Sequence, residues 1–294
     1  MVGWRTAAAI IAAAVVGACV ARVESEGYRA VEERRFDVQR EGADVTLITF
    51  DGSIEVRSWN RPSILIEIVK RGSSKAIVDA IEILAEETDG AVTVEARRPP
   101  DLGSLIGIDS RSSATLVATL PEHSNLVARS GDGSISVERL TGAIEIRTED
   151  GRIRGIDLAG DIVAVAGDGA IELDAVDGRL ELSSGDGRVN VEGRLTGLQI
   201  ETGDGPVRVR ADAGSSVETD WTVWTGDGGI VMTVPRDLDA DLDAQTADGT
   251  LRVQDGVLAV TESRDQRHVR GRLGAGGREL RIRTANGSIR LRAR

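Results

Sequence analysis

The feature that most constrains the fold of this chain is an Asp-Gly dipeptide that returns every 18 residues through its centre. A fixed period indicates a repeat architecture, in which each repeat packs against its neighbours rather than around one globular centre. The dipeptide begins at Asp132, Asp150, Asp168, Asp186 and Asp204. The 35 glycines of the chain therefore indicate turns at fixed places rather than disorder.

Apolar residues keep the same period. One column consists of Ile135, Ile153, Ile171, Val189 and Val207, and a second, half a period later, of Ile144, Ile162, Leu180 and Leu198. Within each repeat the apolar positions are two residues apart, which is the spacing of a strand with one buried face. Two such strands in each repeat predict an all-β fold, a β-solenoid of stacked 18-residue coils with two sheets. We expect right-handed crossovers, the usual sense for parallel strands.

The repeats outside the centre are less regular. The segment Asp51–Val56 has the same form as the later repeats and is expected to begin the stack. A short helix over Ser74–Ala80 and a hairpin at Asp89-Gly90 are predicted next. After Asp204 the dipeptide returns with wider spacing, at Asp227, Asp248 and, as Asn-Gly, at Asn286. The last coils therefore carry insertions.

The N-terminus has the composition of an export signal. Arg5 precedes an apolar run, 6–17, that is shorter than the roughly 20 residues needed to span a bilayer. The run ends in Val16-Gly17-Ala18-Cys19, which resembles the lipobox of bacterial lipoproteins, in which the cysteine is lipidated. The alternative is an ordinary signal cleaved near Ala18, with Cys19, the only cysteine, playing no part. Lipidation at Cys19 implies attachment to a membrane of the bacterial envelope, at the outer membrane or the cell surface.

These patterns divide the chain into four parts. The expected parts are a lipoprotein signal peptide (1–18), a tether (19–27), an N-terminal β region that starts the stack (28–120) and a β-solenoid repeat domain (121–294).

The repeats carry a family resemblance. The segments SGDGSISVERLTGAIEIRTEDG and GRLGAGGRELRIRTANGSIRLRAR resemble the DUF4097 family of bacterial β-strand-repeat proteins, which carry the label "putative adhesin". The resemblance runs from about Phe36 to the C-terminus. It implies a β-solenoid exposed at the cell envelope and no known enzyme activity.

The sequence offers little for catalysis, metal binding or cofactor binding. His123 and His268 are the only histidines, and neither has the spacing of a metal ligand. The net charge of −12 disfavours nucleic acid as a partner. The interruption of the repeat around Glu149, Gly155 and Asp157 is interpreted as a β-bulge rather than an active site. We therefore name no catalytic, cofactor or metal residue.

The column of aspartates allows two interpretations. Stacked in register, the carboxylates would lie about 4.8 Å apart and could form a calcium ladder. The favoured interpretation is structural: each Asp accepts backbone N–H bonds within its turn and the following Gly supplies a positive φ. Calcium needs about 6–8 oxygen ligands, and the opposite turns contain residues such as Thr141 and Ala159.

The last repeats supply the candidate surface residues. An alignment on the threonine before each turn stacks Thr202, Thr225, Thr246 and Thr284. It turns Trp221 inward above Leu242, turns Trp224 outward, and sets Asp243 beside Arg281, with their side chains in contact. Residues 264–294 are rich in arginine, which can bind the phosphates of an anionic envelope polymer or pair internally with the neighbouring acidic strand. The candidates for surface binding are Trp224, Arg281, Arg283, Arg290 and Arg292.

Three functions remain open at this point. The first is a non-enzymatic, lipid-anchored module for adhesion to, or binding of, an envelope polymer or protein. The others are a glycan-cleaving enzyme on a β-helix and a purely structural scaffold of the envelope. A groove with two or three acids that interrupts the repeat would favour the enzyme.

Overall fold

The computed structural model describes residues 20–24, 27–38, 42–98 and 112–294. Its strands and single helix are, in chain order, β1 (Val20–Glu24), β2 (Gly27–Asp37), β3 (Ala43–Thr49), β4 (Ile54–Trp59), β5 (Ser63–Gly72), α1 (Lys75–Ala80), β6 (Glu82–Thr88), β7 (Ala91–Arg97), β8 (Ser112–Pro121), β9 (Ser124–Ser130), β10 (Ile135–Thr148), β11 (Ile153–Ala166), β12 (Ile171–Ser184), β13 (Val189–Thr202), β14 (Val207–Ala211), β15 (Trp221–Thr225), β16 (Ile230–Val234), β17 (Ala240–Thr246), β18 (Leu251–Val253), β19 (Val260–Arg264), β20 (His268–Leu273), β21 (Glu279–Thr284) and β22 (Ile289–Ala293). The signal peptide and Cys19 lie outside the described residues.

Two sheets result because the central strands bend halfway along their length. In each of β10, β11 and β12 a residue with left-handed backbone marks the bend, namely Arg139, Asp157 and Ala175, with φ of 54°, 57° and 54°. The first half of each strand pairs in one sheet and the second half in the other. Sheet 1 has the order β1-β2-β5-β8-β4-β10-β11-β12-β13-β14-β16-β22-β18, and sheet 2 the order β6-β7-β3-β9-β10-β11-β12-β13-β15-β21-β17-β20-β19.

The predicted fold class is confirmed: the chain is an all-β, solenoid-like stack. Ile171 and Leu173 are buried between the sheets, with Leu173 only 3% exposed, and Glu172 between them is half-buried. Each apolar side chain buried in this way contributes about 1.5–3 kcal/mol. The predicted helix is also present, because the Ser74 hydroxyl caps it by accepting a hydrogen bond from the Ile77 N–H at 3.3 Å.

The order of coils in the stack differs from the order in the chain at both ends. Strands β3 and β4, which contain the Asp51 repeat, do not begin the stack, because β7 and β8 lie outside them. At the other end, β21 lies between β15 and β17, and β22 lies between β16 and β18. The expectation that the Asp51 repeat starts the stack is therefore wrong.

Antiparallel strands close both sheets at the N-terminal end and sheet 2 at the other end. Strands β1, β2 and β5 extend sheet 1, and β6 extends sheet 2, at the N-terminal end. Strands β20 and β19 extend sheet 2 at the other end. Segment 19–27, predicted as a tether, contributes β1, which pairs with β2. Such caps keep the edges of the parallel stack from pairing with other chains.

The Asp-Gly corners are held by hydroxyl groups rather than by the aspartates. The Thr148 hydroxyl lies 2.8 Å from the Gly131 carbonyl oxygen of the coil beside it and accepts the Gly151 N–H at 3.2 Å. The same position is buried along the stack and is occupied by Thr49, Ser130, Thr148, Ser184, Thr202, Thr225, Thr246 and Thr284. The expected side-chain role of the aspartates is therefore wrong, since the exposed carboxylates of Asp132, Asp150, Asp168, Asp186 and Asp204 accept no hydrogen bond from any described residue.

In the central coils, the glycine after the repeated aspartate is required for close approach and not for a positive φ. A Cβ on Gly169 would lie 1.8 Å from the Gly151 carbonyl oxygen, and one on Gly187 would lie 2.1 Å from that of Gly169. Positive φ values occur instead at the opposite corner, for example 117° at Gly160. The expectation of a positive φ in the Asp-Gly turns of the central coils is therefore wrong.

Gly155 does not mark a bulge. Pairing of β11 with β12 is continuous through Gly155 and Leu173. A Cβ at Gly155 would lie 2.6 Å from the Leu158 Cδ1 atom and 2.7 Å from the Leu173 Cδ2 atom, so the missing side chain makes room for two leucines. The register shifts occur one coil later, between β12 and β13, from Leu173 to Val176.

Candidate anion-binding face

The arginines of the C-terminal segment divide between two outer faces of the stack. Arg281 and Arg283 lie on β21 in sheet 2, whereas Arg290 and Arg292 lie on β22 in sheet 1. The predicted register is confirmed, because Thr202 pairs with Thr225, and both Thr225 and Thr246 pair with Thr284. The structure therefore separates residues that the sequence presents as one basic segment.

The two arginines of sheet 2 are internally paired. Arg281 makes a close ion pair with Glu279 on its own strand. The Arg283 Nη2 atom lies 3.2 Å from the Asp243 Oδ2 atom, and Arg283 also donates to Gln245. Asp243 and Arg281 are neighbours in register as expected, but the predicted contact of their side chains is wrong. Arg281 pairs with Glu279 instead, and Asp243 pairs with Arg283, which lies two residues beyond its partner in register.

The Asp243 carboxylate contacts three basic side chains of this face. Besides Arg283, it contacts His268, whose Nε2 atom is 3.0 Å from Oδ1, and Arg270, whose Nη2 atom is 3.2 Å from Oδ2. Burial alone raises the pKa of Asp243, but the hydrogen bond from His268 and the charges of Arg283 and Arg270 outweigh burial and lower it. The carboxylate is therefore ionised at neutral pH and holds β17, β20 and β21 together.

The two neighbouring tryptophans have opposite orientations. Trp221 is fully buried and pairs in register with Leu280, so its expected neighbour Leu242 lies one strand further away. Trp224 points outward as predicted, is 39% exposed, and lies in register between Glu201 and Arg283. It is a single aromatic residue on a face of paired charges.

The arginines of β22 belong to a different environment. In sheet 1 the register across β14, β16, β22 and β18 aligns Arg208, Val231, Arg290 and Arg252 in one outward row. A second row aligns Arg210, Thr233 and Arg292. Arg208 and Arg252 are not among the candidates named from the sequence, although both alternate with buried apolar residues, Val207 and Val209 around the first and Leu251 and Val253 around the second.

This part of sheet 1 has no outward carboxylate. Its outward positions on β14, β16, β22 and β18 carry only arginine, valine and threonine. Arg210 is paired with Glu192 at 2.9 Å across β13 and β14. The remaining four, Arg208, Arg252, Arg290 and Arg292, have no ion pair or side-chain hydrogen bond with any described residue. We call these four residues the arginine face.

Other candidate sites are weaker. Among the residues that the structure describes, no group of three or more His, Cys, Asp or Glu side chains is arranged to hold a metal ion. A shallow pocket on sheet 1 contains Glu55 and Glu138, but the Arg57 Nε atom lies 3.8 Å from the Glu138 Oε2 atom. Glycoside hydrolysis requires two carboxylates that flank the substrate, and here one of the two is already paired.

The described segments also contain no helix long and apolar enough to cross a bilayer.

Strand β10 gives an example of a paired carboxylate on the outer surface of the stack. Hydrogen bonds from Arg147 and Arg129 lower the pKa of Glu145. The unpaired arginines of sheet 1 contrast with such pairs.

Comparison with known proteins gives structural relatives of low sequence identity. A putative adhesin from Bacteroides fragilis is 12% identical, with 89% of this chain and 96% of that chain covered and a TM-score of 0.49. A putative adhesin from Parabacteroides merdae is 11% identical, with coverage of 89% and 95% and a TM-score of 0.42. A putative lipid binding protein from Parabacteroides distasonis is 12% identical, with coverage of 89% and 96% and a TM-score of 0.38.

No curated protein matches the chain. The family model described as Toastrack DUF4097 matches residues 36–292, nearly the whole of the described stack and the range over which the sequence resembles this family. The resemblance is thereby confirmed, and the chain belongs to the Toastrack DUF4097 family.

Proposed function

We propose that this chain is a non-enzymatic binding module of the bacterial cell envelope, anchored through a lipid at Cys19. One observation carries the proposal: one face of sheet 1 without outward carboxylates presents four arginines that have no ion pair with any described residue. Unpaired charge on a rigid scaffold is available to a ligand, because no internal ion pair has to be broken before binding.

The position of this face agrees with a role as a spacer. Strand β1 begins at Val20, directly after Cys19, and occupies the N-terminal edge of sheet 1. From β2 to β22 there are ten steps between neighbouring strands of sheet 1. At about 4.8 Å per step, β22 lies about 48 Å from β2, the strand beside the anchored β1. A lipid at Cys19 would therefore hold the arginine face away from the membrane that carries the anchor.

A glycan-cleaving enzyme is the second hypothesis from the sequence. The groove that would favour it contains Glu55 and Glu138, and the pairing of Glu138 with Arg57 leaves one free carboxylate there. Neither histidine lines this groove, since His123 forms an isolated bridge with Thr141 and His268 lies on β20 of sheet 2. These contacts support a binding role over a hydrolytic one.

The anchor is tested by phase separation in detergent. We expect the wild-type protein, expressed with its N-terminal segment, to enter the detergent phase, and Cys19→Ser to remain in the aqueous phase after export. Both proteins entering the aqueous phase would contradict lipidation. For the binding role, in vivo cross-linking followed by purification should recover envelope material. Release of new reducing ends from purified glycans, abolished by Glu55→Gln, would instead support the enzyme.

A further inference from the structure

We propose that the arginine face binds a linear, phosphate-bearing polymer laid along the axis of the stack. This inference rests on the proposed function and names the ligand class of the same face. Its basis is the register of Arg208, Arg290 and Arg252 on strands β14, β22 and β18, which gives a row perpendicular to the strands.

The spacing of this row suits an extended chain. Strand β16 separates Arg208 from Arg290, so their backbones are about 9.6 Å apart, while Arg290 and Arg252 on adjacent strands are about 4.8 Å apart. The outward residues of β16 are the short Val231 and Thr233. They leave a shallow trough between flanking arginines, and the Thr233 hydroxyl can donate a hydrogen bond into it.

The residues on either side of this row contribute no unpaired negative charge. On one side lie the residues two positions before each member of the row, namely Pro206, Gly229, Ser288 and Thr250, and none of them is charged. On the other side Arg294 forms an ion pair with Asp212 across β16. Arg292 adds a fourth free guanidinium beside the trough. A polymer along the stack axis therefore meets positive charge on three of the four strands β14, β16, β22 and β18, and no outward carboxylate on any of them.

The chemistry of the side chains favours phosphate. A guanidinium presents parallel N–H donors that match two oxygens of a phosphate or carboxylate. The four side chains lie in rows on an exposed sheet and do not converge on one point, so a single small anion would meet one or two of them. Exposed pairs contribute only about 0–1 kcal/mol each. A chain that contacts several of them adds these terms and releases its counterions, which makes its binding depend steeply on salt.

The location of the row favours a polymer over the lipid surface of the anchoring membrane. The row lies near the end of the stack opposite β1, and its Arg290 on β22 is about 48 Å from β2 by the strand spacing. A flexible polymer of the envelope can reach this face, whereas the headgroups of the membrane at the N-terminus cannot. A second membrane is left as an outcome of the experiment.

The experiment measures binding of fluorescent long-chain polyphosphate, with the full chain carrying Cys19→Ser so that no lipid contributes. We expect Arg208→Gln/Arg290→Gln to weaken binding about tenfold or more at low salt. The slope of log affinity against log salt should fall by about 0.7 for each arginine removed. The matched control is Arg152→Gln/Arg154→Gln, which removes two exposed arginines at β11 of the same sheet, also without partners among the described residues. Its affinity should equal that of the parent protein.

Four outcomes would overturn the inference. The first is the absence of polyphosphate binding, and the second is an equal loss in the control, which would indicate net charge alone. The third is equal affinity for inorganic phosphate. The fourth is tighter, Arg290-dependent binding to vesicles that contain phosphatidylglycerol, which would replace the polymer with a lipid surface. None of these outcomes affects the anchoring test at Cys19, so failure of the inference and failure of the proposed function are distinguishable.

Discussion

The centre of the stack and its two ends use the same repeat in different ways. In β10–β13 each coil packs on the coil before it in the chain. At the ends, the coils with the clearest repeat, β3–β4 and β21–β22, lie inside the stack, and less regular segments cover them. A coil with a regular repeat therefore lies inside the stack, even where its segment is near an end of the chain. A terminal coil must instead provide a cap that does not offer an open edge.

The largest difference in stability between the centre and the end of the stack is expected for substitutions of the glycines in the Asp-Gly turns. A Cβ on Gly169 would lie 1.8 Å from the Gly151 carbonyl oxygen, and coils on both sides prevent relief. We expect Gly169→Ala to destabilise the protein by about 4 kcal/mol or more, among the largest effects of a single substitution. Gly249→Ala, on the outermost coil of sheet 1, should cost less because β18 can move outward.

The control for this prediction is Gly229→Ala. Gly229 follows the Asp-Gly dipeptide of its coil, and an added Cβ would lie 3.5 Å from the nearest atom, which is an ordinary contact. Urea unfolding of the three variants gives the comparison. Equal midpoints for Gly169→Ala and Gly229→Ala would show that close approach does not select the glycines.

The second comparison concerns two buried leucines, one central and one in a cap. Leu173 packs against Leu158 and the space left by Gly155, whereas Leu273 lies on β20 of the cap. Substitution by alanine should cost about 2–5 kcal/mol at such sites. We expect Leu173→Ala near the upper end and Leu273→Ala near the lower end, because a cap can collapse into the cavity. Chemical denaturation measures both, and a larger cost at Leu273 would contradict the rigidity of the centre.

The third prediction concerns Asp243, whose ion pairs join the antiparallel cap of sheet 2 to the strands beside it. Asp243→Asn should lower stability at pH 7 by about 1–3 kcal/mol, because His268, Arg270 and Arg283 lose a charged acceptor. Since folding lowers the pKa of Asp243, its stabilisation is present above its ordinary value of 3.8 and disappears as the pH falls through the lower folded value.

The measurement is the free energy of unfolding of wild type and variant from pH 7 to pH 2. Below about pH 5, the difference between them should shrink as the Asp243 carboxylate is protonated. Asp241→Asn is the control, because this carboxylate is exposed and its nearest cation, the Arg272 Nε atom, is 3.6 Å away. A difference that grows as the pH falls below about 5 would contradict the assigned direction of the Asp243 pKa.

The smallest expected effect is a gain at the one central corner that lacks a hydroxyl group. Ala166 occupies the position held by Thr148 in one neighbouring coil and by Ser184 in the other. Ala166→Ser should add a hydrogen bond to the ladder and stabilise the protein by about 0.5–1.5 kcal/mol. Ala164→Ser, in the apolar interior, should destabilise it. Calorimetry on both variants decides the matter, and destabilisation by both would exclude the hydroxyl ladder as a source of stability.

The sequence predicts the interior of each coil well because burial there is a local property. Alternation around Ile171 and Leu173 sets the inward face, and the threonines before the turns set the register of the last coils. The function of the turn residues was not predictable in this way. A repeated glycine is equally compatible with a positive φ and with close approach of a backbone, and only the stacking distance separates the two.

The candidate site could be predicted only in part, for a related reason. The sequence indicates Arg290 and Arg292, because they alternate with apolar residues in a basic segment. Arg208 and Arg252 lie outside that segment, and they come beside Arg290 only because β22 enters the stack between β16 and β18. Which strands become neighbours at an end depends on the caps, and therefore on contacts between segments far apart in the chain.

The order of strands at the C-terminal end is the central claim, because it creates the arginine face. It is tested with pairs of cysteines in the Cys19→Ser background. Val231→Cys/Arg290→Cys places the two residues on paired strands, whose Cα atoms are about 4.8 Å apart, within the range for a disulfide. Val231→Cys/Arg252→Cys would be adjacent if coils stacked in chain order, but here β22 separates them by about 9.6 Å. Under mild oxidation we expect a rapid intramolecular disulfide in the first pair and none in the second. A disulfide in the second pair and none in the first would contradict the account.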